Sequence, residues 1–336
     1  MNVLAGDIGG THARIARFRV DAGEIVELID DWKVDSGGYP GPAPIVREYL
    51  DTRGVASTEL DGICVAVAGP IRDGVLSVPN LGWSLEVASF GEEVGFTDAT
   101  LINDFVAIGH GVLALGDSDY GELQAGQGKP RGTIAVLGPG TGLGHAFLTW
   151  DDGAYRVHAS EGGHADFAPG SETEWSLAMH LAERYGHASW ERVVSGPGLL
   201  DIYRFLVQTD PEAEAPSIRR ELEAGDAPAV ISRHGVAGTD PLCQGALEMF
   251  VSALGALAGN VALTLEAYGG VYIGGGIAPK ILDALRGSAF LEAFRSKGRL
   301  AGLLEAIPVR VVLDERVGLE GAALCAAGVA PARSEV

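Results

Sequence analysis

The sequence opens with MNVLAGDIGGTHARIARF, residues 1–18, in which a glycine turn separates two apolar runs. An apolar run ends at Asp7, and the turn residues Gly9, Gly10 and Thr11 follow it. A second run then alternates apolar and polar residues to the end of the stretch. The pattern predicts two strands joined by a glycine turn.

This turn is either an anion-binding site or a plain hairpin turn. No Gly-Lys-Ser/Thr and no helical pattern follows the glycines, so neither common phosphate-binding signature is present. Glycines still allow backbone N–H groups to converge on an anion, and Asp7 at the strand end could hold hydrated Mg²⁺. A simple turn between two strands is the alternative.

A second hairpin of the same kind lies further along the chain. Residues 134–137 form an apolar run, residues 138–144 read GPGTGLG, and residues 145–150 resume a strand pattern. The repetition predicts two similar halves that each offer a glycine loop to one ligand. A third glycine loop, residues 274–276, follows a short apolar strand at 270–273 and would let a flat ring approach the backbone.

Composition bounds the class of protein. The chain has 336 residues, 47% of them hydrophobic and 21% charged, which is ordinary for a globular protein with room for two cores. A formal charge of −21 argues against nucleic acid or an anionic membrane as a partner. Cys64, Cys243 and Cys325 are isolated, which fits a reducing cytoplasm better than a disulfide framework. With no basic leader and no run of eighteen apolar residues, we expect neither export nor membrane insertion.

The rest of the chain alternates strand and helix patterns, as in an α/β protein. The buried strand at 99–102 runs into Asn103, Asp104 and a helical stretch at 105–115. Asp104 is either a helix N-cap or a carboxylate that accepts the proton of an attacking hydroxyl, and both roles are compatible. Further strands are predicted at 25–34, 61–68, 154–158 and 309–313, and helices at 45–52, 198–207, 242–268, 278–286 and 317–327. The acidic segment 210–226 is predicted to be an exposed connection or a surface helix, and a polar tail follows the last helix.

Two polar stretches in the second half offer further candidates. Glu161 and His164 lie three residues apart across two glycines. They either decorate a surface loop or converge on neighbouring hydroxyls of a polyol. Glu191 is either a solvated helix residue or a third member of such a site.

These motifs together resemble the bacterial glucokinase family, over nearly the whole chain. The matching segments are DIGGT at 7–11, NDF at 103–105, GPGTGLG at 138–144, SEGGH at 160–164, ERV at 191–193 with SGPG at 195–198, and GGGIAP at 274–279. The resemblance implies an α/β fold of two related ribonuclease H-like domains, of the actin and hexokinase type, hinged over a cleft. The implied bounds are a small domain of residues 1–112 plus 314–336 and a larger one, 113–313, with extra helices.

The resemblance also implies a reaction: ATP-dependent transfer of a phosphoryl group to the 6-hydroxyl of glucose, the first step of glycolysis, by a cytoplasmic homodimer that uses Mg²⁺. By position, Asp104 would be the general base. The sugar hydroxyls would be held by Asn103, Asp104, Glu161, His164 and Glu191, with Asn80 as a further contact. The nucleotide would be held by Gly6, Asp7, Ile8, Gly9, Gly10, Thr11, Gly138, Gly140, Thr141, Gly142, Gly275 and Gly276, with Asp7 reaching Mg²⁺ through water.

One residue departs from the family pattern. The family usually has Asn after Gly-Gly-Thr, whereas this chain has His12, and a neutral imidazole can still donate one hydrogen bond there. Two alternatives stay open on the same fold. One is a kinase for another hexose, mannose or fructose, and the other is a non-catalytic actin-like ATP-binding protein.

Overall fold

A computed structural model describes residues 1–328, so the predicted polar tail lies outside the described residues. The chain divides into two compact units. Unit 1 comprises residues 1–119, 148–159 and the described residues from 314, and unit 2 comprises 120–147 and 160–313. The domain bounds that the resemblance implies stay a prediction.

Strands and helices alternate along the described chain, as predicted. The strands are β1 (Asn2–Ile8), β2 (His12–Asp21), β3 (Glu24–Asp35), β4 (Gly62–Val67), β5 (Ile71–Arg72), β6 (Val75–Val78), β7 (Trp83–Glu86), β8 (Thr100–Asn103), β9 (Tyr120–Gln124), β10 (Ile134–Pro139), β11 (Leu143–Asp151), β12 (Ala154–Ser160), β13 (Gly270–Ile273) and β14 (Val309–Val312). The α-helices are α1 (Pro42–Arg53), α2 (Phe90–Val94), α3 (Asp104–Gly111), α4 (Glu172–Tyr185), α5 (Gly196–Thr209), α6 (Pro216–Ala224), α7 (Ala227–Ala237), α8 (Pro241–Leu265), α9 (Leu282–Leu285), α10 (Ser288–Arg295), α11 (Ala301–Glu305) and α12 (Val317–Ala326).

Unit 1 is built on a five-stranded sheet in the order β3-β2-β1-β4-β8. The three strands β1, β2 and β3 are antiparallel neighbours, whereas β4 and β8 run parallel to β1. Every residue of β4 is buried, which is expected of a strand that is covered on both faces. Two apolar clusters accordingly form in this unit, and one of them contains residues of α12.

Helices α3 and α12 pack against each other at very short range. A β-carbon placed on Gly321 of α12 would lie 1.8 Å from the carbonyl oxygen of Ala107 in α3. A β-carbon on Gly111 would likewise lie 2.0 Å from the carbonyl oxygen of Val317. These contacts require glycine at both positions and fix α3, whose first residue is Asp104.

The second sheet has six strands, in the order β12-β11-β10-β13-β14-β9. Leaving out the edge strand β9, its order by position along the chain is third, second, first, fourth, fifth, which is the order of the first sheet. The predicted duplication of the strand plan is therefore present. Helices α5, α7 and α10 pack on α8, the central helix of unit 2.

Helix α8 is long and apolar enough to pass a length and composition test for a membrane span, and no other helix within residues 1–328 passes it. Of the apolar window in this helix, 61% is buried inside the protein. A core helix of a folded unit passes the same test, so the finding is weak evidence for a membrane span.

Some predicted elements need correction. The helix predicted at 105–115 ends at Gly111, and the helical stretch at 278–286 is a 3₁₀ turn, Ala278–Ile281, followed by the short helix α9. Strands β7 and β9 and helices α2, α7, α10 and α11 were not predicted. The acidic segment carries helix α6, in which only Ile218 is buried, so the predicted surface helix is present there.

Candidate active site

The turn between β1 and β2, with the adjoining strand ends, lines a pocket of about 340 Å³. The turn is closed by a 2.9 Å hydrogen bond from the Gly9 amide to the His12 carbonyl. Of the residues predicted to bind phosphate here, Gly6 and Ile8 are buried inside β1 and do not line the pocket. The lining residues are Asp7, Gly9, Gly10, Thr11, His12 and Arg14.

Arg14 was missed by the sequence analysis. It lies directly opposite Asp7 in the β1–β2 register and two residues beyond His12, so all three side chains belong to one face of the sheet. That spacing was the available signal. Arg14 donates to Asp31 from its guanidinium, with an Nε to Oδ2 distance of 3.0 Å.

The Asp7 carboxylate accepts no hydrogen bond from any described residue. Burial raises its pKa above the ordinary value, and the positive charge of Arg14 partly offsets this effect. Oxygen ligands with free lone pairs suit Mg²⁺, which in kinases is bound through one or two carboxylates, water and substrate phosphates. No group of three or more His, Cys, Asp or Glu side chains within residues 1–328 could hold a metal by itself. Asp7 therefore fits a magnesium ion brought by a nucleotide.

Asp104 directly follows the carboxyl end of β8 and is the first residue of α3. The N-cap of α3 is Asn103 and not Asp104, which corrects the capping role considered above. Asn103 Oδ1 accepts a hydrogen bond from the Phe105 amide at 2.9 Å, and its Nδ2 donates to the Gly69 carbonyl at 3.0 Å. Asp104 Oδ1 also accepts from the Phe105 amide, at 3.0 Å.

The pKa of Asp104 is raised from 3.8 to about 7, mainly by burial and secondly by the negative charge of Asp7. Hydrogen bonds from the backbone and from Asn103 partly offset this rise. A carboxylate with a pKa near neutrality can accept a proton at physiological pH and release it afterwards. The environment of Asp104 is therefore suited to a general base.

Two of the three predicted nucleotide loops lie side by side in unit 2. The Gly274 amide donates to the Leu137 carbonyl at 2.7 Å, and the Ile277 amide donates to the Pro139 carbonyl at 3.2 Å. Gly275 has φ +78°, and a β-carbon there would lie 2.6 Å from the Pro139 carbonyl oxygen. Only glycine fits this position.

The loop after β10 also contacts Glu191. Glu191 Oε2 accepts a 3.0 Å hydrogen bond from the Leu143 amide, and a β-carbon on Gly142 would lie 2.7 Å from the same oxygen. Within the loop the Gly140 amide donates to the Gly142 carbonyl at 2.8 Å. A β-carbon on Gly140 meets nothing within 4 Å, so this position is open.

The structure brings together three predicted sugar-binding residues of unit 2. His164 Nε2 lies 3.9 Å from Glu161 Oε2, and His164 Nδ1 lies 3.9 Å from Glu191 Oε1. The Glu191 amide also donates to the Gly163 carbonyl at 2.9 Å. The side chain of Glu191 is 29% exposed and those of Glu161 and His164 more than half, so all three are accessible to a ligand.

Asn80 belongs to unit 1, in the 3₁₀ turn Pro79–Leu81 that follows β6. It is exposed, and a β-carbon on Gly10 would lie 4.0 Å from the Asn80 β-carbon. Asn80 therefore lies beside the pocket of the first glycine turn without lining it.

A family model described as "Glucokinase" matches residues 4–329. The chain belongs to the glucokinase family. It is 41% identical to a glucokinase of Nostoc sp., with 97% of this chain and 98% of that protein covered. It is 38% identical to a glucokinase of Cronobacter sakazakii, with 95% of each covered. Membership of this family identifies the chain as a kinase.

Solved structures support the same assignment. A glucokinase from an Antarctic psychrotroph superimposes with a TM-score of 0.83 at 33% identity, covering 98% of this chain and 99% of that one. A ROK-family glucokinase from Streptomyces griseus, in complex with glucose and AMPPNP, gives a TM-score of 0.63 at 22% identity over 98% of this chain and 100% of that one. The second likeness shows the fold, which is that of the actin-like ATPases, as predicted.

Proposed function

We propose that this protein transfers the γ-phosphoryl group of ATP to the 6-hydroxyl of D-glucose, with Asp104 as the general base. The observation that carries the proposal is the setting of Asp104 in a chain of the glucokinase family. It lies at the end of a parallel strand, where α/β sheets bind ligands, and its pKa is about 7.

The proposed roles follow the groups described above. The sugar hydroxyls would be held by Asn103, Asp104, Glu161, His164 and Glu191, with Asn80 as a further contact. Gly9, Gly10 and Thr11 of the first glycine turn, with Gly138, Gly140, Thr141 and Gly142, would hold the phosphates, and Gly275 and Gly276 the adenosine. The open space at Gly140 and the free Asp7 carboxylate support this division.

The chemical step needs positioning and one proton acceptor. Asp104 takes the proton of the glucose 6-hydroxyl while that oxygen bonds to the γ-phosphorus, and the bond from the γ-phosphorus to the β–γ bridging oxygen breaks to release ADP. Mg²⁺, when bound, neutralises charge on the β- and γ-phosphates, and Asp7 would hold it through water. Backbone N–H groups of the glycine turns stabilise the remaining phosphate charge.

We also propose that the protein is a cytoplasmic homodimer that supplies glucose 6-phosphate to glycolysis. Cys64 and Cys243 are free and buried, and Cys325 is free, which suits a reducing compartment. The charge of −21 supports a small-molecule substrate without nucleic-acid or membrane partners.

A coupled assay for ADP release, run on a panel of hexoses with Mg-ATP, tests this function. We expect kcat/KM for glucose to exceed that for fructose or mannose by about tenfold or more, because a hydroxyl in a different position leaves polar groups of the site unpaired. A preference for another hexose would identify a different sugar kinase. ATP binding without turnover of any hexose would identify a non-catalytic actin-like protein.

A further inference from the structure

His145 is a buried histidine that the sequence analysis did not single out. It lies on β11 in unit 2 and is 5% exposed. Its Nε2 atom has no hydrogen-bond partner among the described residues. A leucine or valine would fill such a position without burying an unpaired polar atom, so core stability does not account for the imidazole.

The ring of His145 lies against the loop that carries Glu161 and His164. A β-carbon on Gly162 would lie 2.6 Å from His145 Nδ1 and 3.2 Å from its Cε1, so the ring directly abuts the Gly162 backbone. Nδ1 is a ring atom close to the backbone of β11 and cannot swing away like the end of a flexible chain. The ring therefore limits how closely Gly162 approaches the strand.

The loop above the ring is a tight turn, which transmits this limit to the side chains on either side. The His164 amide donates to the Glu161 carbonyl at 3.0 Å, and the Ala165 amide donates to the Gly162 carbonyl at 3.2 Å. The Gly162 amide is held by Ser160 Oγ at 3.1 Å. A shift of Gly162 would therefore move Glu161 and His164 together.

Electrostatics support the proximity of the two histidines. The pKa of His145 is lowered to about 4, first by burial and then by the charge of His164. His145 is accordingly neutral under physiological conditions.

We propose that His145 is a positioning residue. Its ring sets the distance between the Gly162 turn and β11, and thereby directs Glu161 and His164 toward the sugar. This inference rests on the proposed phosphorylation of glucose. Sites that hold hydroxyls depend on the placement of their polar groups within fractions of an ångström. A small movement of the Gly162 turn toward β11 should therefore weaken sugar binding.

The first test compares His145→Ala with the parent in steady-state kinetics. We expect KM for glucose to rise by about tenfold or more, while KM for ATP and kcat at saturating glucose stay within about threefold. His145→Asn keeps an atom near the Nδ1 position but removes Nε2, so it should retain a glucose KM within about threefold of the parent. Phe250→Leu, which perturbs the core of unit 2 at a buried α8 residue, controls for general destabilisation and should leave the glucose KM unchanged.

The second test approaches the same contact from the loop. Gly162→Ala should raise the glucose KM in the parent because its methyl group collides with the ring, and this variant leaves the core filled even if His145→Ala folds poorly. In the double variant the ring is absent, so Gly162→Ala should add less than it does alone. If the parent is active, two results would overturn the inference alone. One is a double variant whose change in glucose KM equals the combined effects of the single variants, and the other is a glucose KM for His145→Ala within about threefold of the parent value. Failure of the parent to phosphorylate glucose would overturn the proposed function and the inference with it.

Discussion

Two carboxylates dominate the chemistry of unit 1 at the scale of single residues. Asp7 and Asp104 are both partly buried, which raises the pKa of each, and the charge of Asp7 adds to the rise in the pKa of Asp104. Like charges that share a site are costly unless a cation or a proton joins them. The pair therefore suits a reaction in which the phosphates of one substrate bring a cation and the hydroxyl of the other brings a proton.

The raised pKa of Asp104 predicts a pH profile. A general base must be ionised, so kcat/KM for glucose should fall as the pH decreases through about 7, the pKa of this carboxyl. Above that value the profile should be flat until another group titrates. Initial rates at saturating Mg-ATP, with enzyme stability checked at each pH, measure it.

Asp7→Asn provides the control for this assignment. Removal of the neighbouring charge should lower the pKa of Asp104 and move the acidic limb to lower pH, whatever its effect on the rate. A profile that stays flat well below pH 7 in the parent would contradict the assignment of Asp104 as the base.

The glycine loop after β10 gives a prediction at the scale of elements. Because a β-carbon on Gly140 meets nothing within 4 Å, Gly140→Val should fold normally and exclude only a ligand. We expect the Kd of ATP to rise by about tenfold or more while glucose affinity is kept, since backbone N–H groups can no longer approach phosphate. Calorimetric titration with each ligand measures both.

The matched control for the loop is Gly302→Val in α11. A β-carbon on Gly302 also meets nothing within 4 Å, so the substitution tests the effect of valine alone. Unchanged ATP affinity in Gly140→Val would show that this loop does not hold the nucleotide.

The contact between α3 and α12 predicts a stability effect. Gly321→Ala places a methyl group within 1.8 Å of a backbone carbonyl oxygen, so the two helices must separate. We expect a loss of about 1–3 kcal/mol in the free energy of unfolding, the usual cost of overpacking. Urea denaturation measures it, with Gly302→Ala as the control, and an unchanged midpoint would contradict the described packing.

Sequence patterns predicted the central strands well because those strands are buried. Runs such as residues 62–67 and 134–137 are almost wholly apolar and bounded by turn residues, which leaves little choice of structure. Strand β9 was missed because Glu122 interrupts a short edge strand whose formation depends on pairing with β14. Helix α3 ends at Gly111, which packs closely against Val317 of α12, a contact that no local pattern records.

The candidate site was predictable to a similar extent. Its glycines and polar residues occur in short local motifs, so the sequence could indicate them as groups. The pKa of Asp104 depends on burial and on Asp7 of β1, and Asn103 is also held by the Gly69 carbonyl, so neither setting is visible in the local sequence. His145 was not predictable, because its importance arises from Gly162, which lies on a different element.

At the scale of the whole molecule, the two sheets share one strand order, and each unit has its own apolar core. The proposed base, Asp104, belongs to unit 1, and Glu161, His164 and Glu191 belong to unit 2. The turnover assays therefore use the full chain, whereas the binding measurements above report on single loops.

The role of Asp104 as the general base is tested by kcat for Asp104→Asn at saturating glucose and Mg-ATP. The helix should persist because Asn103 is the cap, and asparagine can still accept the hydrogen bond from the Phe105 amide. Glu320→Gln is the matched control, since Glu320 is another carboxyl of unit 1 whose pKa is raised to about 7. We predict that Asp104→Asn loses about a hundredfold or more in kcat with an unchanged melting temperature, while Glu320→Gln keeps its turnover. A folded Asp104→Asn variant with kcat within about threefold of the parent would show that Asp104 is not the general base.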